Sequence, residues 1–165
     1  MELINLLLQE FDKEKATTQK MLAQIPEDKF DWQPHEKSMK IKMLAAHIAE
    51  LPEWITMTLH TDELDLGKEG YKPAEINDKK ELMAFFEEKS AIGRSSLVAA
   101  DVSTFDKEWI LRTGDQIHSS DTKYEVIRMI YSQIVHHRAQ LGVNLRLLDI
   151  AVPASYGPSA DDMGM

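Results

Sequence analysis

The chain has 165 residues, 43% of them hydrophobic and 28% charged, and its 19 basic and 28 acidic residues give a formal charge of −9. That composition suits one folded domain, residues 1–165, and excludes a disordered chain. An acidic balance without a Lys/Arg run argues against a nucleic-acid partner, and no apolar run approaches the roughly 20 residues of a membrane helix.

The start, Met1-Glu2-Leu3-Ile4-Asn5, has no basic stretch before its apolar residues, so no cleaved signal is expected. With no Cys there is no disulfide, thiolate ligand or Cys nucleophile on the chain, which fits a cytoplasmic location. A first helix is predicted from Glu2 to Ala23, with Leu3, Leu6, Leu7, Phe11, Ala16 and Met21–Leu22 at helical spacing. Asp12-Lys13-Glu14-Lys15 reads as its solvated face, and Ile25-Pro26 ends it.

The connection from Glu27 to Lys37 holds Phe30, Trp32 and Pro34, and such aromatics are expected to fold back as a plug on the bundle end. Ser38 is the expected N-cap of a second helix reaching Leu59, with Ile41, Leu44, Ile48, Leu51 and Ile55 inward. Pro52 predicts a kink or break in it. Thr61 to Asn77, with Gly67, Gly70 and Pro73, reads as a long connection able to cross the bundle. Asn77 or Asp78 caps a third helix to Ala100, with Leu82, Phe85, Phe86, Ile92 and Leu97 inward and Gly93 within it.

Trp109 to His118 looks extended around a Thr-Gly-Asp turn, a short hairpin or irregular segment before the last helix. That helix opens at Asp121 or Thr122, with Glu125 placed as in a capping box, and runs to Leu148. Ile127, Ile130, Ile134, His137, Leu141, Leu145 and Leu148 line one face. Residues 150–165 form a tail expected to pack at its start and fray at its end. Four helices without long strands predict an all-α four-helix bundle with a long crossover connection.

Two histidines stand out: His47, on or beside the inward face of the second helix, and His137, on the apolar stripe of the fourth. A lone His beside an apolar face is more often a hydrogen-bonded core residue than a ligand. The adjacent His136 points about 100° away from His137. Gln133 lies one turn before His137, so the pair reads Gln-x-x-x-His where His-x-x-x-His would hold a metal. A Gln oxygen is a weaker donor to zinc or nickel than imidazole.

The stretch Phe30-Asp31-Trp32-Gln33-Pro34-His35-Glu36-Lys37-Ser38 with Leu44-Ala45-Ala46-His47-Ile48, then His136-His137-Arg138-Ala139-Gln140-Leu141 and Tyr156-Gly157-Pro158-Ser159-Ala160-Asp161, resembles the DinB/YfiT-like family. The resemblance implies a four-helix bundle with a divalent ion (Zn, Ni or Mn) on three histidines, one from the second helix and two from the fourth. His47 and His137 match the outer two ligands, Gln133 stands at the middle one, and Ala139 replaces the usual Gly. It further implies a transferase or isomerase using a thiol cosubstrate, which on a Cys-free chain must arrive from outside. The altered His/Gln/His set leaves a second expectation open: a non-catalytic bundle that has lost its metal and binds a small-molecule ligand or a protein. Glu50, one turn from His47, is a lesser candidate to complete the set, and Trp54 and Tyr131 read as packing. Bundles of this size often pair, so a homodimer is expected.

Overall fold

The computed structural model describes residues 2–69 and 74–164. Helices α1 (Leu3–Ala23), α2 (Ile41–His60), α3 (Leu66–Glu69), α4 (Lys79–Val98) and α5 (Lys123–Leu147) are joined by strands β1 (Glu63–Asp65), β2 (Glu108–Thr113) and β3 (Gln116–Thr122). The four long helices are those expected. A three-stranded sheet, β1-β2-β3, makes the all-α expectation only roughly right. The expected hairpin is β2–β3, turning at Gly114, whose φ of 56° favours a residue without a Cβ. β1 pairs parallel with β2 and comes from the stretch read as plain connection. Three residues are too few for an alternating pattern to register. Gly70 and Pro73 of that connection lie outside the described residues.

Two core clusters give the helix directions. Leu7 and Phe11 of α1, Leu51 and Ile55 of α2, Leu97 of α4 and Ile127 and Ile130 of α5 meet in one. Met21 and Leu22 of α1, Ile41 and Leu44 of α2, Leu82 and Phe86 of α4 and Leu141 and Leu145 of α5 meet in the other. The helix pair α1 and α5 therefore runs parallel, as does the pair α2 and α4, with the two pairs opposed. The segment between α2 and α4 must return along the bundle, the crossover the sequence left room for. Phe105 and Trp109 add the sheet end to the first cluster, and the indole Nε1 donates to Thr61 Oγ1 at 3.1 Å.

Caps explain most boundaries. The Asp78 side chain accepts from Glu81 N, and Thr122 and Glu125 form the expected capping box. α2 departs from expectation: it begins at Ile41, and Ser38 does not cap it. The aromatic loop does so instead, because Ile41 N–H donates to Trp32 O and Lys42 N–H to Phe30 O. Phe30 is buried and Trp32 packs beside it, so the plug that closes this end also supplies the cap. At the other end of α2, the buried Lys123 Nζ donates to Thr61 O at 2.7 Å, a cation at a helix C-terminus.

α2 continues through Pro52 without a break. The reason for its tight fit lies on α4: a Cβ built on Gly93 would stand 2.0 Å from Pro52 O. Backbone meets backbone there, so neither side can yield by a rotamer change. Gly93 is thus the contact that lets the two helices approach, not a weak point in α4.

The inward stripe of α1 also differs from the reading. Leu6 and Ala16 are exposed, whereas Glu14, assigned to the solvated face, is 8% exposed, and Thr18 is buried. Leu7, Phe11, Glu14, Thr18 and Leu22 keep helical spacing, so the stripe is regular but polar in its middle. The partner is Arg138 of α5, 2% exposed, whose Nη1 lies 2.7 Å from Glu14 Oε2 and donates to Thr18 Oγ1 at 3.0 Å. Tyr156 of the tail joins them: Arg138 Nη2 donates to Tyr156 Oη at 2.8 Å, and Oη donates to the Glu14 carboxylate at 2.9 Å. Asp161 accepts from Val152 N–H and pairs with Arg146, so the tail is held well beyond its start.

Gly93→Ala is expected to lower stability by about 3 kcal/mol, at the upper end of overpacking costs, and the melting temperature by roughly 6–12 °C. Thermal denaturation followed by circular dichroism checks this; an unchanged midpoint would refute the close approach. A second expectation concerns Asp65, buried between the crossover and the hairpin. Gly114 N–H and, less strongly, Gly67 N–H donate to its carboxylate at 2.9 Å, and Arg112 lies 3.0 Å away. The Gly114 bond above all holds its pKa below the ordinary value. A depressed folded pKa stabilises above the unfolded value of about 3.9 and is lost as pH falls through the folded one. The melting-temperature gap between wild type and Asp65→Asn should therefore be widest near neutrality and close below pH of about 3.9.

Candidate functional site

His47 comes from the first half of α2, between Leu44 and Ile48 of the core stripe, and His137 from the middle of α5, between Ile134 and Leu141. Since these helices run antiparallel and in contact, the two imidazoles meet across their interface at mid-length. Their ring centroids are 4.7 Å apart, with the planes at 77°. Both are half-buried. Trp54 lies edge-on to His47 with centroids 6.0 Å apart and closes one side.

The hydrogen bonds orient each ring. His47 Nδ1 is 2.7 Å from Glu50 Oε1. A carboxylate accepts, so Nδ1 carries a proton, and in the neutral ring the lone pair sits on Nε2. His137 Nδ1 lies 3.1 Å from Gln140 Oε1, which gives that ring the same tautomer. Gln140 Nε2 lies 3.0 Å from Nε2 of the exposed His136. Burial, followed by the neighbouring His47 and His136, lowers the His137 pKa, with the Gln140 bond opposing. The neutral imidazole is the form that ligates a metal or accepts a proton.

Of the three residues singled out in sequence, His47 and His137 are thus brought together. Gln133 keeps its place one turn before His137, half-buried on α5. Among the described residues, no three His, Cys, Asp or Glu side chains gather closely enough to hold an ion. An ion there would therefore have the two imidazoles as its described donors, with Gln133 one turn from His137 on α5. Glu50 Oε1 holds His47 Nδ1, as a carboxylate that orients a ligand does.

Glu50, a lesser ligand candidate in sequence, hydrogen-bonds the His47 ring through Oε1. Gln140 stood in the quoted motif without a role, although its i+3 relation to His137 and i+4 relation to His136 put it within reach of both. His35, His60 and His118 are all surface-exposed or nearly so, and none reaches the pair.

An open cavity of about 420 Å³ is lined by Pro34 and residues 37–39 of the loop, with Leu44, Gln140, Val143 and Asn144. Leu44 precedes His47 by three residues and Gln140 follows His137 by three, so the cavity lies one helical turn from the imidazoles on both helices. Among the described residues, no helix is long and apolar enough to cross a membrane.

Comparison with known proteins follows this geometry. The fold is similar to a DinB-like protein from Bacillus subtilis, at 15% identity and TM-score 0.70, covering 91% of this chain and 96% of that one. A putative DinB-family member from Exiguobacterium sibiricum matches at 19% identity and TM-score 0.70, covering 98% and 97%. The mycothiol-dependent maleylpyruvate isomerase matches at 14% identity and TM-score 0.63, covering 86% of this chain and 61% of that one. At these identities the likeness is one of fold. No curated protein matches the sequence. The sequence profile of the DinB family matches residues 1–164. The chain belongs to the DinB family.

Proposed function

We propose that the bundle is an enzyme whose His47–His137 pair holds a divalent ion, with the Gln133 amide as a weak third donor, and uses a thiol brought by a cosubstrate. The observation that carries this reading is the shared tautomer: both Nδ1 atoms are committed, to Glu50 and Gln140, which puts both lone pairs on Nε2. The fold it shares with a mycothiol-dependent isomerase supports the thiol part. When bound, such an ion lowers the pKa of a coordinated thiol or water so that the nucleophilic form exists near neutral pH. The chain's own part is to hold the two rings in place, keep His137 neutral by burial and shield one side with Trp54. It has no Cys, so the thiol must come with the cosubstrate.

A second reading is favoured by one observation: no cluster of three His, Cys, Asp or Glu occurs among the described residues. In it the bundle has lost its metal and binds a small molecule or protein without catalysis. Metal titration by calorimetry, with zinc, nickel and manganese in turn, separates the two. The enzymatic reading expects about one ion per chain, bound weakly, and lost in His137→Ala. Gln133→His should tighten binding by more than the roughly 10–100-fold that even an outer-shell partner is worth. Wild type that takes no ion while Gln133→His does supports the second reading. If neither binds, the ligand geometry is wrong.

A further inference from the structure

We infer that the cavity beside the histidine pair is a binding site for a small aliphatic carboxylate, with Asn144 and Lys37 receiving the carboxylate. Asn144 is only 6% exposed, yet no other described residue hydrogen-bonds its side-chain amide. The residue as a whole is enclosed while its amide makes no bond to the described residues. Its amide atoms are not sealed in the core, and the residue lines the cavity, so the amide opens onto that space. The cavity thus contains a hydrogen-bonding group held in place by α5 and open to water or to a ligand.

Lys37 decides the sign of that partner. It lines the same cavity, and among the described residues its ammonium has no carboxylate partner, whereas the nearby Lys40 and Lys42 are both paired with Asp31. An amide alone accepts or donates equally well; an amide beside an unneutralised ammonium selects an anion. Pro34, Met39, Leu44 and Val143 supply the apolar wall, with Ser38 and Gln140 as the cavity's other polar groups, and Met39 and Val143 are exposed despite being apolar. A few polar groups on an apolar lining, in about 420 Å³, is the make-up of a small-molecule site. A short alkyl chain bearing one carboxylate matches both parts. Gln140 forms the boundary with the imidazoles, so a ligand seated here has its far end one helical turn from His47 and His137.

This goes beyond the metal reading and does not depend on it, so the test uses full-length protein treated with chelator. Hexanoate is titrated against ¹⁵N-labelled protein, with hexanamide and hexylamine as neutral and cationic controls of the same length. Hexanoate should shift the Asn144 side-chain resonances saturably, and the two controls should not. Lys37→Met, an exposed change that leaves the fold alone, should weaken hexanoate by roughly fivefold or more. Asn144→Asp, checked for retained helicity, should abolish hexanoate binding by repulsion and admit hexylamine. The inference is overturned if hexanamide binds as well as hexanoate, if Lys37→Met binds unchanged, or if the shifts map away from Asn144.

Discussion

The approach of α4 to the backbone of α2, where Gly93 faces the Pro52 carbonyl, is the constraint on which the arrangement depends. A 2.0 Å clearance for a missing Cβ leaves room for hydrogen and nothing else. With that flank fixed, α2 can present only its remaining side to α5, and His47 is on that side. The residue that looks least like part of a site therefore governs where one of its imidazoles stands. Packing of this kind is intolerant because interiors are close-packed and strain is passed on rather than absorbed.

A second fixed point is ionic. Arg138 and Glu14 are buried in the middle of otherwise apolar stripes, and a charge pair taken out of water gains little net stability over a well-packed apolar pair. What the pair adds is register. Thr18 and Tyr156 complete the hydrogen bonding, so α1, α5 and the tail meet at one set of heights along the bundle. Arg138 follows His137 directly, so the registration of α5 by the ion pair is also the registration of the imidazole.

How much of this is legible in sequence depends on whether the determinant is local. The capping box at Thr122–Glu125, the Asp78 cap and the 3-4 stripe of α5 are set within a few residues and read directly. The start of α2 does not, because its cap comes from the carbonyls of Phe30 and Trp32, eight or more residues earlier in the chain and brought near by packing. Glu14 is misread for the same reason: a carboxylate among Asp12, Lys13 and Lys15 looks solvated until a guanidinium from the opposite end of the sequence meets it. In the site, the histidines could be singled out, but that their rings touch and share a tautomer depends on Glu50, Gln140 and the direction of α5 relative to α2. The empty amide of Asn144 has no sequence signal, since an Asn one turn from a Leu stripe looks like any helix-border residue.

The parallel pairing of the first and last long helices has a consequence for how the chain reaches this structure. Tyr131 Oη donates to Leu7 O, and Arg138 meets Glu14, each across 124 positions of sequence. Closing so long a loop costs entropy before either contact can repay it, so the docking of α1 on α5 is expected to come late relative to that of α2 on α4, the packed long helices closest in sequence. Until they do, α2 carries an apolar side with no cover, and the histidine face assembles only in the closing step. The crossover thus makes α2 and α4 the pair with the shortest loop to close, and leaves the groove that bears the imidazoles to the longer closure that brings α5 onto α2.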